Sequence, residues 1–212
     1  MVERPDTDYK LDVKRTVDGY QARRGVFRIV ELPDARYLMV DGAGDPNTSP
    51  EYASALETLY PTAYAVKSAT RSELGADFVV PPLEGLWWAD DMDAFTLSRD
   101  KSRWSWTMMI LVPDVVPSEL VDAAIAAVRA KKRPPRIDDL RFETLSEGLV
   151  VQTLHLGSFD DEGPVLDRMH HGFIPDNGLS LTGRHHEIYF SDPRRTAPER
   201  LRTILRQPVA RV

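Results

Sequence analysis

The stretch His185-His186-Glu187-Ile188-Tyr189-Phe190-Ser191-Asp192 sets a carboxylate and a phenol two residues apart. Its aromatic and β-branched residues, preceded by Thr182-Gly183 and ended by Asp192-Pro193, predict a strand. Side chains alternate across a strand, so Glu187 and Tyr189 share a face, about 7 Å apart along it. In one pocket such a pair can supply a base and a hydrogen-bond donor. A surface Glu beside a half-buried Tyr is the plainer alternative that this stretch leaves open. A second concentration is aromatic. All four tryptophans, Trp87, Trp88, Trp104 and Trp106, lie within twenty residues and are expected on neighbouring strands. Together with Tyr60 and Tyr64 on an adjoining helix, they exceed what the core of half a domain needs. They point to a flat aromatic ligand held between rings. Glu84, in Pro82-Leu83-Glu84-Gly85, is a further carboxylate entering this region, either capping a turn or lining the pocket.

Other chemistries are excluded or disfavoured. There is no Gly-x-x-x-x-Gly-Lys phosphate loop, no dinucleotide fingerprint and no Gly-x-Ser-x-Gly elbow. The chain has no cysteine, hence no disulfide, thiolate metal site or Cys nucleophile. His170-His171 and His185-His186 are adjacent pairs, which diverge on a helix or strand. His185 and Glu187 share a face, but two ligands do not make a metal site, and no metal is expected. A net charge of −6 gives no general attraction to nucleic acid or to an anionic membrane. Met1 to Asp12 is charged, without a signal-peptide core, and no run approaches the ~18 apolar residues of a membrane span. A cytoplasmic protein is expected.

The elements that must position these residues follow from pattern. With 212 residues, 42% of them hydrophobic, the chain suffices for one generous domain or two halves. Residues 1–24 are mostly polar and are expected as a lead-in segment. Val26–Glu31 and Arg36–Asp41 predict a hairpin turning at Leu32-Pro33-Asp34. Ser49-Pro50 opens a helix with an apolar stripe that includes Tyr52, Leu56, Leu59, Tyr60 and Ala63. Extended segments around Asp77–Pro81 and Gly85–Ala89, the acidic loop Asp90-Asp91-Met92-Asp93 and a strand over Trp104–Val112 come next. A second helix over residues 119–131 ends in a basic run, Arg129 to Arg136, expected as a helix C-terminus and linker. The order then repeats. Sliding by 115 residues sets Phe27 on Phe142, Val30 on Leu145, Met39 on Leu154 and Gly42 on Gly157. Strands at Leu140–Leu145 and Leu149–Leu156, a helix near Pro164 and the Glu187 strand complete the second unit. Thr196-Ala197-Pro198-Glu199 is a capping box that predicts a C-terminal helix through Leu201, Ile204 and Leu205.

Val79 to Trp88, Trp104-Ser105-Trp106-Thr107-Met108-Met109-Ile110, and His185 to Asp192 followed by Pro193-Arg194-Arg195-Thr196-Ala197-Pro198-Glu199 resemble the GyrI-like small-molecule-binding family, over roughly residues 25–210. The tryptophan and Glu-x-Tyr motifs most resemble its stand-alone branch, which hydrolyses cyclopropanoid DNA-alkylating natural products of the yatakemycin and CC-1065 type. The resemblance implies an α+β fold of two β-β-α-β (SHS2-like) repeats, about 25–117 and 138–192, with pseudo-twofold symmetry and the ligand in the groove between them. It implies water addition to a cyclopropane conjugated to a dienone, with no cofactor, since strain release and aromatisation drive the reaction. Glu187 is then the base, with Glu84 as competitor. Tyr189 orients the water or donates to the oxygen that gains charge, and the tryptophans with Tyr60 and Tyr64 sandwich the substrate. Two other readings stay open: a module that sequesters planar cationic aromatics without turnover, and a protein–protein inhibitor, supported only by acidic charge. Transcription regulators of the wider family carry a helix-turn-helix, for which residues 1–24 are too few.

Overall fold

The segment Ser105–Val112 has apolar side chains on both faces: Trp106, Met108 and Ile110 on one, Met109 and Leu111 on the other, all buried. Such a strand belongs inside a sheet covered on both sides. The computed structural model describes residues 10–89 and 100–212, and has that architecture. In chain order the strands are β1 (Lys10–Leu11), β2 (Arg28–Leu32), β3 (Ala35–Ala43), β4 (Asp77–Phe78), β5 (Leu83–Trp88), β6 (Ser105–Val112), β7 (Arg141–Leu145), β8 (Gly148–Leu156), β9 (Leu179–Leu181), β10 (His185–Tyr189) and β11 (Arg202–Arg211). The main sheet is antiparallel, in the order β2-β8-β11-β10-β5-β6-β3-β7, with β9 added to the end of β11. β1 and β4 form a short parallel pair apart from it.

Helices cover one face in two separate patches. α1 (Val13–Thr16) lies elsewhere; α2 (Pro50–Leu74) and α3 (Ser118–Lys131) pack over the β3/β6 half. There Leu59, Ala63, Val121 and Val128 meet Leu38, Val40, Met108 and Ile110. Over the β8/β11 half, α4 (Gly163–Asp167) continues through a π-helical turn, Arg168–Phe173, into α5 (Ile174–Asp176). Its Met169 and Ile174 seat on Val151, Leu205 and Val209. The middle strands, β10 and β5, lie between the two patches. No helix among the described residues is long and apolar enough to cross a membrane.

Several expectations need correction. The lead-in is part of the fold from residue 10 onward: Val13 and Tyr20 are buried against Tyr37, Met109, Ile188 and Ile204 on the face away from the helices. The segment is charged in bulk, yet Val13, Val17 and Tyr20 recur at spacings of four and three and make a sealing strip. The expected hairpin does not form, nor do the first two strands of the second half pair with each other. β2 pairs with β8 and β7 with β3, so each first strand crosses to the other half. The expected C-terminal helix is a single 3-10 turn, Pro198–Arg200, followed by β11. Leu201, Ile204 and Leu205 fit helical spacing, but Thr203, Leu205, Gln207 and Val209 serve one face of the sheet, with Ile204 and Arg206 on the other. A strand buried on both faces has no alternation to reveal it. Each half therefore supplies four strands to the sheet path rather than three. The loop Asp90–Asp93 lies outside the described residues.

Beneath the N-terminal strip, the closed face of the sheet holds a buried charged network. His186 Nε2 lies 2.9 Å from Glu84 Oε2, and its Nδ1 lies 2.9 Å from Glu147 Oε1. Arg206 donates to Glu147 Oε2 at 2.8 Å, to Gln152 Oε1 at 3.1 Å and to the Gly19 carbonyl at 2.7 Å. The Tyr20 hydroxyl donates to Glu84. Burial alone would raise the Glu147 carboxyl, but His186 and Arg206 outweigh it and hold it at about 2. Burial likewise opposes charging His186, and Glu147 reverses that, so its pKa is raised. The signs follow by linkage. Stability from Glu147 is present above the ordinary carboxylate range and is lost as pH falls toward 2. Stability from His186 is full below the ordinary imidazole value of 6.5 and is lost as pH rises through its higher folded value. Urea unfolding of Glu147→Gln near pH 6 is therefore expected to show a loss of about 3–5 kcal/mol, because His186 and Arg206 keep buried charge without its counter-ion. The acid slope of stability should also flatten. An unchanged slope would contradict this role.

Candidate ligand-binding and catalytic cleft

Strand alternation on β10 sends His186 and Ile188 to the closed face and His185, Glu187 and Tyr189 to the face that carries the helices. Glu187 sits opposite Gly85 and Leu205, and Tyr189 opposite Leu83 and Thr203. Of these, Leu83, Glu187 and Tyr189 floor a cleft of about 1110 Å³ between the two helical patches. Tyr52, Leu56 and Tyr60 of α2 form one wall, and Phe159 and Glu162, just before α4, the other. Trp87 and Trp104 close one end, and Lys101, Asp160 and Arg194 reach the rim.

The floor is tightly arranged. A Cβ on Gly85 would come within 2.8 Å of Trp87 Nε1 and 3.1 Å of the Tyr189 hydroxyl, so glycine is what lets these two groups meet. Trp87 Nε1 donates to the Tyr189 oxygen at 2.8 Å. That bond occupies an acceptor position of the phenol and leaves its proton to be donated elsewhere. Burial first, and then the nearby Glu187, push the Tyr189 pKa well above the ordinary phenol value, so it stays a neutral donor. Burial and Glu187 raise Tyr52 in the same way. Glu187 is only 8% exposed, and its Oε1 lies 3.4 Å from His185 Nε2. The rings around it are ordered: Tyr52 stacks on Trp87 at 6.4 Å, Trp104 meets Trp87 edge-on at 5.8 Å, and Phe159 meets Tyr189 edge-on at 5.7 Å. A buried carboxylate beside a neutral phenol, in an aromatic slot, can take a proton from water and donate to an oxygen of a flat ligand.

Of the residues expected here, the cleft gathers Glu187, Tyr189, Trp87, Trp104 and Tyr60. Four lie elsewhere. Tyr64, one turn beyond Tyr60, is 57% exposed. Trp88 falls on the opposite face from Trp87, with the Arg184 guanidinium 3.5 Å above its ring. Trp106 is fully buried beneath the wall, edge-on to Tyr52 at 5.5 Å, and supports the slot without lining it. Glu84 points into the closed-face network with Tyr20 and His186, which removes it as a competing base. The cleft's other buried carboxyl group is Glu162, at the start of α4. Tyr52, Phe159 and Glu162 line the cleft although their spacing did not single them out as ligand-facing, and His185 lies behind Glu187. Tyr52 was visible as part of the α2 apolar stripe; Phe159 and Glu162 sit in and just after a single 3-10 turn, Phe159–Asp161, too short to show periodicity. Among the described residues, no group of three or more His, Asp or Glu is placed to hold a metal ion.

Comparison with known proteins agrees with the fold. A crystal structure of an uncharacterized conserved protein from Listeria innocua superposes with a TM-score of 0.85 at 38% identity, over 95% of this chain and 100% of that one. Two crystal structures of hydrolases from Listeria innocua, one of them encoded by lin2189, give TM-scores of 0.80 and 0.82. Both are 36% identical, over 95% of this chain and 100% of theirs. No curated protein matches the sequence. Residues 26–210 match the model of the GyrI-like small molecule binding domain. The chain is a member of the family of GyrI-like small-molecule-binding domains.

Proposed function

We propose that the protein is a hydrolase that opens the cyclopropane ring of cyclopropanoid DNA-alkylating compounds by adding water, which destroys their alkylating centre. The observation that carries this reading is the buried Glu187–Tyr189 pair on the floor of an aromatic cleft, with Trp87 occupying the phenol's acceptor side. The hydrolase descriptions of the two Listeria innocua structures at 36% identity support it. The planar heteroaromatic substrate lies among Tyr52, Trp87 and Trp104. Glu187 takes one proton from water while the oxygen bonds to the cyclopropane carbon. The strained C–C bond breaks, and its electron pair moves through the dienone to the carbonyl oxygen. That oxygen becomes a phenolate, stabilised by the Tyr189 hydroxyl, and is protonated to the phenol. One proton leaves Glu187 for each proton the phenolate gains, so the reaction consumes only water. Strain release and aromatisation supply the driving force, and the protein supplies position and electrostatics.

A second reading is sequestration without turnover. Glu187 and Glu162 are both buried in the aromatic cleft, a setting that attracts planar cations through charge and ring faces. Turnover separates the two. Loss of the dienone absorbance of a cyclopropane-bearing alkylator is expected over many turnovers with wild type. Glu187→Gln should slow it by about 10²–10⁴-fold, while binding of a neutral ring-opened product changes little. Stoichiometric protection without turnover would leave a drug-binding protein. Tyr189→Phe is expected to lower kcat on the order of 10²-fold. Because burial and Glu187 hold the Tyr189 phenol high, wild-type activity should show no loss centred on the ordinary phenol value near 10. A loss there that Tyr189→Phe abolishes would count against its role as neutral donor.

A further inference from the structure

The hydrolytic reading leaves the two histidine pairs unused, and the fold brings one member of each together. His185 is on β10, two residues from Glu187 and on the same face, with its side chain 3% exposed. His170 lies in the π-helical turn that covers this end of the strand, also buried, with its ring 6.3 Å from that of His185 and nearly perpendicular to it. The extra residue of a π turn displaces the helix face, and such turns recur at functional sites. Here it turns His170 inward while its neighbour His171 faces solvent, 2.9 Å from Asp167. Burial, followed by the charges of His185 and His171, lowers the His170 pKa to about 4, so its imidazole is neutral at neutral pH and has an acceptor nitrogen.

We propose that His185 is a positioning residue for Glu187: it offers an N–H to Glu187 Oε1, turns Oε2 toward the attacking water, and has neutral His170 behind it. The inference rests on the hydrolytic reading of the cleft. The geometry carries it. The Nε2–Oε1 separation is 3.4 Å, in a pair that is almost wholly enclosed. Catalytic hydrogen bonds are often long in the empty site and tighten when substrate excludes water. A carboxylate on a strand can rotate about its terminal bond, and a fixed donor on one oxygen removes that freedom. The groups around His185 include Glu187 on its own strand, Trp87 opposite on β5, His170 from the π turn, and Gln207 of β11, which contacts His170.

The test is steady-state hydrolysis of a cyclopropane-bearing alkylator by wild type, His185→Ala, His185→Gln, Glu187→Gln and the double variant His185→Ala/Glu187→Gln. His185→Ala is expected to lower kcat by roughly tenfold to a hundredfold, the scale of misplacing a reacting group by about 1 Å, with KM within about twofold. His185→Gln, whose amide can donate to the same oxygen, should recover much of the loss. The double variant should be no slower than Glu187→Gln, because both changes act through one carboxylate. Thermal unfolding verifies that each variant folds. Wild-type-like kcat in folded His185→Ala, or additive losses in the double variant, would overturn the inference while leaving the hydrolase intact. No turnover by wild type would overturn the hydrolase reading and this inference with it.

Discussion

A buried imidazole clamped between Glu84 and Glu147 fixes the strand on which the open-face chemistry depends. Taking an imidazole, two carboxyl groups and a guanidinium out of water is tolerable only while each keeps its partner, so this network favours the strand arrangement that pairs them. Because the side-chain period is two, a slip of one residue in β10 would deliver Glu187 to the closed face and His186 to the cleft. Tyr20 and the Gly19 carbonyl tie the N-terminal segment into the same network, which makes that segment the seal over the charges.

The open face uses the opposite logic. The helices pack on the two halves of the sheet and leave β10 and β5 uncovered between them, so the cleft's position follows from topology. Within it, a polar pair is embedded in aromatic surface that excludes water and strengthens each electrostatic contact. Glycine at 85 is the small-residue requirement that allows indole and phenol to meet, and the resulting bond aims the phenol's proton. Trp106 shows how such a slot stays rigid: it is fully buried, lies edge-on to Tyr52, and needs Gly42 behind it, where a Cβ would strike the indole.

Much of this was legible in the residues, and what was not shares a cause. The Glu187 strand, the helix from Pro50 and the placement of Tyr189 beside Glu187 followed from alternation and turn residues alone. Faces of the central strands were harder. β5 reads Leu-Glu-Gly-Leu-Trp-Trp and is buried on both sides, so nothing in its composition says that Trp87 and Gly85 face the cleft while Glu84 and Trp88 face away. Parity there is set by pairing with β10, a long-range fact. The same ambiguity hid β11, whose apolar spacing suits a helix as well as a doubly buried strand. Glu162 and Phe159 were invisible because the single 3-10 turn that holds them is placed by the β8 and α4 it connects. The exchange of β2 and β7 between halves also had no local signature, since each first strand has ordinary strand residues whichever neighbour it takes.

The account stands or falls on whether water is the nucleophile delivered in this cleft. The most direct measurement is mass spectrometry of product and protein after incubating a cyclopropane-bearing alkylator with catalytic amounts of the protein in ¹⁸O-enriched water. The account predicts one ¹⁸O atom in the ring-opened product and an unmodified protein. Alkylator recovered unchanged, or attached covalently to the protein, would contradict it.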